Sequence, residues 1–159
     1  MADNRGKQWE AKFRQDFINS FPEGEVSIDR LYDTTNGFAS ISNISDFIGY
    51  HYPLIYYLEC KSHKGSSFPF SALSQYEKLK AKVGIKGVRA GVALWLIDKH
   101  GLYYLPISTV TKILDSGVKS FNPDKLNEQE YPYYIIPGKE KRVFIEGDWS
   151  ILAETKEGE

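Results

Sequence analysis

Cysteine is nearly missing from this chain: among its 159 residues there is one, Cys60. That excludes a disulfide framework and any all-cysteine metal site. Long apolar runs are missing as well, since the longest, Gly91 to Ile97, has the length of a strand and not of a membrane span. The stretch from Met1 to Lys12 is polar and charged and lacks the apolar core of a signal peptide. A cytoplasmic protein with no membrane partner is therefore expected. There is no excess of either charge, with 20 Lys plus Arg against 21 Asp plus Glu. No zinc-finger spacing, Gly-rich nucleotide loop, helicase-like motif, internal repeat or linker is present. What remains is the composition of one soluble domain, residues 1–159, long enough for one sizeable core.

The balanced total hides an uneven distribution. Residues 60–100 carry eight basic side chains and two acidic ones, whereas residues 120–159 carry five basic and nine acidic. An acidic C-terminal part can mask a basic working face, and it is local potential that steers an anionic partner. The same lysines also read as the wet face of a helix. Aromatic residues are abundant, with 11 Tyr, 9 Phe and 3 Trp, and most must serve as core.

Periodicity organises the chain. Trp9, Phe13 and Phe17 recur every four residues and predict an amphipathic helix over 4–20, with Lys7, Lys12, Arg14 and Asp16 off the apolar stripe and Glu10 at its edge. Val26 to Tyr32 reads as a first strand, with Val26, Ile28 and Arg30 on one face. Asp33 to Gly37 carries turn residues. Ser45 to Tyr50 and Leu54 to Lys61 read as a hairpin turning at 51–53. A helix is expected from Ser71, as cap, to Val83, with Leu73, Tyr76, Leu79 and Val83 buried. Val88 to Ile97 reads as a central strand buried on both faces, with Leu102 to Ile107 pairing back. Ser108 to Leu114 reads as a short helix capped by Ser108. Tyr131 to Ile136 reads as an edge segment and Arg142 to Ile145 as a short strand. A final short element is expected from Trp149, and residues 153–159 read as a frayed acidic tail. The order predicts an α/β domain: a mixed central β-sheet flanked by helices.

The sharpest chemical feature is Asp46 followed, after 12 intervening residues, by Glu59-Cys60-Lys61. Side chains two apart on a strand share a face, so Glu59 and Lys61 project together with Ile55 and Tyr57, while Tyr56, Leu58 and Cys60 take the other face. Charged groups at the end of an apolar strand are costly without partners. Hairpin pairing across 51–53 brings Asp46 level with residues 57–59, so that Asp46 and Glu59 converge. Two adjacent carboxylates repel, and a divalent cation resolves the repulsion; oxygen ligands suit Mg²⁺, with Mn²⁺ able to substitute. With a lysine alongside, phosphodiester hydrolysis is the natural chemistry. A surface Asp and a plain cross-strand Glu–Lys pair would give the same spacing.

That spacing resembles the core signature of the restriction-endonuclease-like, PD-(D/E)xK, nuclease superfamily. Within it the chain resembles the RecU family of Holliday junction resolvases, including its phage-type members. The resemblance rests on Gly6-Lys7-x-Trp9-Glu10, Ser45 to Gly49, Tyr57 to Lys61, Ser67-Phe68-Pro69, and Tyr131-Pro132 with Lys141-Arg142. It runs from about residue 6 to 147. It implies a restriction-endonuclease-like core, with Asp46 and Glu59 as metal ligands and the Cys60 carbonyl as a further ligand. Lys61 then orients or stabilises the nucleophile, and Glu10 completes the acidic cluster. Gln75, placed one turn into the helix after the lysine, is a further catalytic candidate, equally readable as an exposed helix residue. Asp33 is either a distal acidic member or a cap on the Asn36-Gly37 turn. Arg5, Lys7, Lys64, Lys78, Lys82 and Lys86 are candidate phosphate contacts, which position DNA without reading its sequence. The family carries a stalk between the first strand and the aspartate strand. Here that interval is only Thr34 to Ile44, a reduced stalk or an ordinary loop.

The expectation is a Mg²⁺-dependent endodeoxyribonuclease resolving branched DNA as a homodimer, in a bacterial or phage-infected cytoplasm. The alternatives are the same fold cutting flaps, ends or plain duplex, and a module that binds branched DNA without cutting it.

Overall fold

The computed structural model describes residues 4–32, 34–36, 39–41 and 43–155. Helix α1 (Arg5–Asn19) leads into β1 (Val26–Arg30), a small ribbon of β2 (Thr34–Asn36) and β3 (Ala39–Ile41), and the hairpin β4 (Phe47–His51) and β5 (Leu54–His63). There follow β6 (Phe68–Pro69), a short helix α2 (Tyr76–Lys80), β7 (Val88–Leu96), β8 (Gly101–Pro106) and helix α3 (Ile107–Asp115). The chain closes with β9 (Ser120–Phe121), β10 (Tyr134–Ile136), β11 (Gly138–Glu140), β12 (Ile145–Gly147) and a 3-10 segment at Trp149–Glu154.

Six strands form the central sheet in the order β1-β4-β5-β7-β8-β10. Only β5 and β7 run parallel, and the 64–87 crossover carrying α2 is what allows it. The sheet is thus mixed and has helices on both faces, as the order of elements predicts. Among the described residues no helix is long and apolar enough to cross a membrane.

Period-two alternation splits the central strands between two cores. Tyr56, Leu58 and Cys60 of β5, Ala93 and Trp95 of β7, and Leu102 and Tyr104 of β8 pack with Trp9, Phe13 and Phe17 of α1. Val92, Leu94 and Leu96, with Tyr103 and Leu105, pack on the other side with Leu79, Val110 and Ile113. Phe13 sits edge-on to Trp149 at 4.8 Å and to Phe47 at 5.5 Å, binding α1 to both the sheet and the C-terminal segment. Gly49 lets α1 come close, since a Cβ there would lie 3.0 Å from the Phe17 ring.

Several expectations need correction. Asp16 is buried, not off the core face: it accepts from the Gly147 N–H at 3.0 Å and from Lys12 at 2.8 Å. The helix expected over Ser71 to Val83 is only Tyr76–Lys80. Phe70 and Leu73 turn inward in a 3-10 turn at Phe70–Ala72, the Phe70 N–H bonds to the Lys119 carbonyl, and Gln75 rather than Ser71 precedes the helix. The helix expected from Ser108 starts at Ile107 with Pro106 before it, and no side chain caps it. The short strand expected at Arg142 to Ile145 lies later, at Ile145–Gly147. The interval after β1 holds the β2–β3 ribbon, Asn36 facing Ala39. The reading of Asp33 and the end of the expected acidic tail, residues 156–159, lie outside the described residues.

Candidate active site

The register of β1, β4 and β5 assembles the site. Arg30 faces Phe47 and Phe47 faces Leu58, so the next row holds Leu31, Asp46 and Glu59. In that row the Leu31 N–H bonds to the Asp46 carbonyl at 2.8 Å and the Asp46 N–H to the Leu58 carbonyl at 3.1 Å. Asp46 stands where β4 begins, and the backbone pairing of β5 toward β4 ends with it. The next N–H of β5 on that side belongs to Cys60, and the Asp46 carboxylate takes it, Oδ2 to N at 2.8 Å. Alternation along the strand points the Cys60 carbonyl to the same side, past the end of β4.

Glu59 projects from the face of β5 opposite to the Leu58 and Cys60 side chains, in the same cross-strand row as Asp46, and is 1 % exposed. Lys61 lies beside it, Nζ to Oε1 at 3.5 Å. The other carboxylate oxygen, Oε2, is buried and has no hydrogen-bond partner. Burial pushes the Glu59 carboxyl up to about 7; Lys61 opposes the shift and Asp46 adds to it. Burial also raises Asp46, against the Cys60 N–H and Arg30 and with help from Glu10. The Cys60 thiol is pushed up by burial, with Asp46 and Glu10 adding, so it is no nucleophile at neutral pH.

Glu10 reaches the site from α1 and is held by Arg30, Nε to Oε2 at 2.9 Å. Arg30 also approaches Asp46, at 3.9 Å between Nη2 and Oδ1, and donates to the carbonyls of Leu31 and Asp46. Burial works against the Arg30 charge, but the hydrogen bond and charge of Glu10, with Asp46, outweigh it and raise its pKa. Arg30 is the residue that sequence reasoning left without a role. The signal was present: a charge on the same face as Val26 and Ile28, at the end of a strand, is the pattern that singled out Glu59 and Lys61.

A hard divalent cation fits this donor set. The orphaned buried oxygen of Glu59 and the raised carboxyls of Glu59 and Asp46 describe a site short of positive charge on its inner side. Asp46, Glu59 and the Cys60 carbonyl are the groups that would hold it. Among the described residues no three His, Cys, Asp or Glu side chains gather into a ready-made cage, and Glu10 is drawn to Arg30 instead.

Gln75 lies at the start of α2, not one turn into it, with its Oε1 buried and unpartnered. Leu73, Tyr76 and Tyr57 share the second core, so Gln75 belongs to the layer over the Glu59–Lys61 face. Lys82 belongs to the same layer, its ammonium 5.2 Å from the centre of the Tyr57 ring. Lys64, Lys78 and Lys86 are exposed. Lys64 follows the end of β5 just beyond Lys61, whereas Lys86, two residues before the Val88 that pairs with Ile55, lies at the opposite end of that strand, so the structure does not bring it to the carboxylates. Arg5 and Lys7 are exposed at the start of α1, on the Glu10 side. Of the candidate phosphate contacts, Lys7 on the α1 side and Lys82 beside Tyr57 lie nearest the carboxylates.

No family model and no curated protein matches the chain. Among solved structures, the chain is similar to Hjc of the archaeal hyperthermophile Archaeoglobus fulgidus, a Holliday junction resolvase. The TM-score is 0.53 at 20 % identity, over 80 % of this chain and 92 % of that one. At that identity the likeness is one of fold: a mixed sheet between helices, built as in a resolvase nuclease.

Proposed function

We propose that the protein is a metal-dependent endodeoxyribonuclease that cuts branched DNA, four-way junctions foremost, as a two-fold symmetric dimer in the cytoplasm. The observation that carries this is the cross-strand row that sets Asp46 level with Glu59, with Lys61 beside Glu59 and one buried Glu59 oxygen without a hydrogen-bond partner. The resolvase-like fold supports it, and the RecU-like stretches around Glu10, Asp46 and Lys61 favour a RecU-type, phage-like member.

The residues divide the work as follows. Asp46 is fixed by the Cys60 N–H, so its second oxygen is presented in one orientation. Glu59 is held by the strand and by Lys61. When bound, Mg²⁺ or Mn²⁺ supplies Lewis acidity toward a phosphate oxygen and makes a hydroxide available near neutral pH. Lys61, partly exposed, offers a positive charge to the negative charge that develops on the phosphate during attack. Glu10, clamped by Arg30, places a carboxylate at the α1 side, and Gln75 offers an amide from the α2 side. Two copies related by a two-fold axis would set one such site on each of two opposed strands.

The test is cleavage of a mobile four-way junction beside a linear duplex of matched sequence, with Mg²⁺, Mn²⁺ or chelator, and with Asp46→Asn as control. Paired symmetric nicks in the junction, lost with chelator and in the control, are expected. Equal cutting of both substrates would leave a nuclease of other preference, and tight junction binding without cutting would leave a binding module.

A further inference from the structure

Helix α1 has a second stripe besides its core face. Lys7, Glu10, Ala11 and Arg14 are spaced i, i+3, i+4, i+7 and therefore share one side. With Arg30, Tyr32 and Phe47 they line a cavity of about 470 Å³ that opens beside the Glu10–Arg30–Asp46 cluster. Ala11 contributes only a methyl group, which keeps the space open. The wall opposite is aromatic. Tyr32 is 71 % exposed. It is nonetheless held: the Arg30 guanidinium lies 5.1 Å from its ring centre, and the Asn43 side-chain amide donates to its carbonyl. Lys7 and Arg14 stand exposed at the rim.

An aromatic wall, a rim of two cations and a floor made of one acceptor, Glu10, and one donor, Arg30, match the chemistry of a single nucleotide. The volume falls in the range of small-molecule sites, roughly 300–1,000 Å³, and is far too small for a duplex. A base paired within a helix is stacked on both faces and cannot enter it. A base taken out of the stack can, and the cost of taking it out is least where pairing is already disturbed, as at a branch.

We propose that this cavity takes one unstacked nucleotide of the cleaved strand next to the scissile phosphate. Its base is laid on Tyr32 and its phosphate is met by Lys7 and Arg14. The inference rests on the reading of the chain as a DNA nuclease and deepens it: branched DNA is preferred because a branch supplies the unstacked base, with no base sequence read. Tyr32 is then a substrate-contacting residue and Ala11 the position that keeps its pocket open.

The experiment places 5-iododeoxyuridine at each position flanking the cut in a four-way junction. The complex is formed with chelator to stop cutting and irradiated, and the crosslinked residue is mapped. In parallel, single-turnover cleavage is measured for Tyr32→Ala, Tyr32→Phe and Ala11→Leu. The expected result is a crosslink to Tyr32 from one position beside the cut, retained by Tyr32→Phe. Tyr32→Ala and Ala11→Leu should lose it and cut the junction about 10- to 100-fold more slowly, the range that loss of one base–aromatic stack produces. Ala11→Leu lies on an exposed helix position, so it tests the pocket even if Tyr32→Ala folds poorly. No crosslink to Tyr32 at any position, or both variants cutting like wild type, would overturn the inference while the nuclease reading stands. Wild-type protein that neither binds nor cuts the junction would overturn both.

Discussion

Leu58 and Glu59 are neighbours on β5 and almost equally buried, at 0 % and 1 % exposed. Their side chains leave the strand on opposite faces. Leu58 carries no polar side-chain atom and enters a packing of Trp9, Phe13, Phe17 and Tyr56, where burying its apolar surface is favourable. Glu59 enters a layer in which one oxygen meets Lys61 at 3.5 Å and the other meets nothing. Burying the Leu58 side chain stabilises the fold, and burying the Glu59 carboxylate works against it. The lesson is that depth does not distinguish core from chemistry; the burial of an ionisable group left short of partners does, since Trp9 and Trp149 also bury unpartnered nitrogens in the core but carry no charge. The unpartnered Glu59 oxygen is the group that the proposed cation would satisfy.

Breaking the first face should give the largest effect on the fold. Leu58→Ala removes a fully buried side chain, and the lost transfer energy plus the cavity should cost about 2–5 kcal/mol. Denaturant melts should show that loss, while cleavage at low temperature survives, because no group of the site is touched. A variant as stable as wild type would mean that this face is not the core it looks to be.

Breaking the second face should act in the opposite sense on stability. The Glu59 carboxyl, raised to about 7 when folded, holds its proton more tightly than in the unfolded chain. Without metal, the folded state is therefore penalised as pH rises from the ordinary carboxyl range through about 7, by roughly 3 kcal/mol once Glu59 is fully ionised. Glu59→Gln should remove that slope: metal-free, it should melt with wild type near pH 4.5 and above it at pH 8. Mg²⁺ should raise the wild-type melting temperature at pH 8 and leave the variant unmoved. A wild-type protein whose metal-free stability is flat across this range would contradict the account of the second face.

A smaller effect sharpens the boundary between the two. Arg30→Ala removes an ion pair with Glu10 whose partners are 24 % and 25 % exposed, so the stability cost should be only about 1 kcal/mol. Cleavage should fall by more than that loss explains, because Glu10 would no longer be held. Equal losses in melting and in cleavage would make Arg30 a structural residue alone.

Much of this was legible because it is local. The four-residue recurrence of Trp9, Phe13 and Phe17 marks α1, and the nearly continuous apolar run at 88–97, broken only by Arg89, marks the central strand. The short turn between His51 and Leu54 fixes the register that sets Asp46 opposite Glu59. What escaped depends on distant partners. Asp16 reads as a surface residue because the N–H it accepts from belongs to Gly147, 131 positions away. The helix after Lys61 is shorter than the sequence pattern predicts because β6 is claimed by β9, which ties Phe68 to Phe121 and turns the following residues inward. The role of Arg30 is not legible locally, since its partner, Glu10, sits on an element whose docking angle no local pattern reveals.

The central claim is that the Asp46–Glu59–Lys61 face does chemistry and does not merely hold DNA. The measurement that tests it most directly is single-turnover cleavage of a four-way junction by wild type and by Lys61→Ala, with junction affinity measured on the same preparations in Ca²⁺. The account predicts a fall of about 10²–10³-fold or more in rate, as for removal of one transition-state charge partner, with affinity nearly unchanged. A Lys61→Ala protein that cuts as fast as wild type would contradict it.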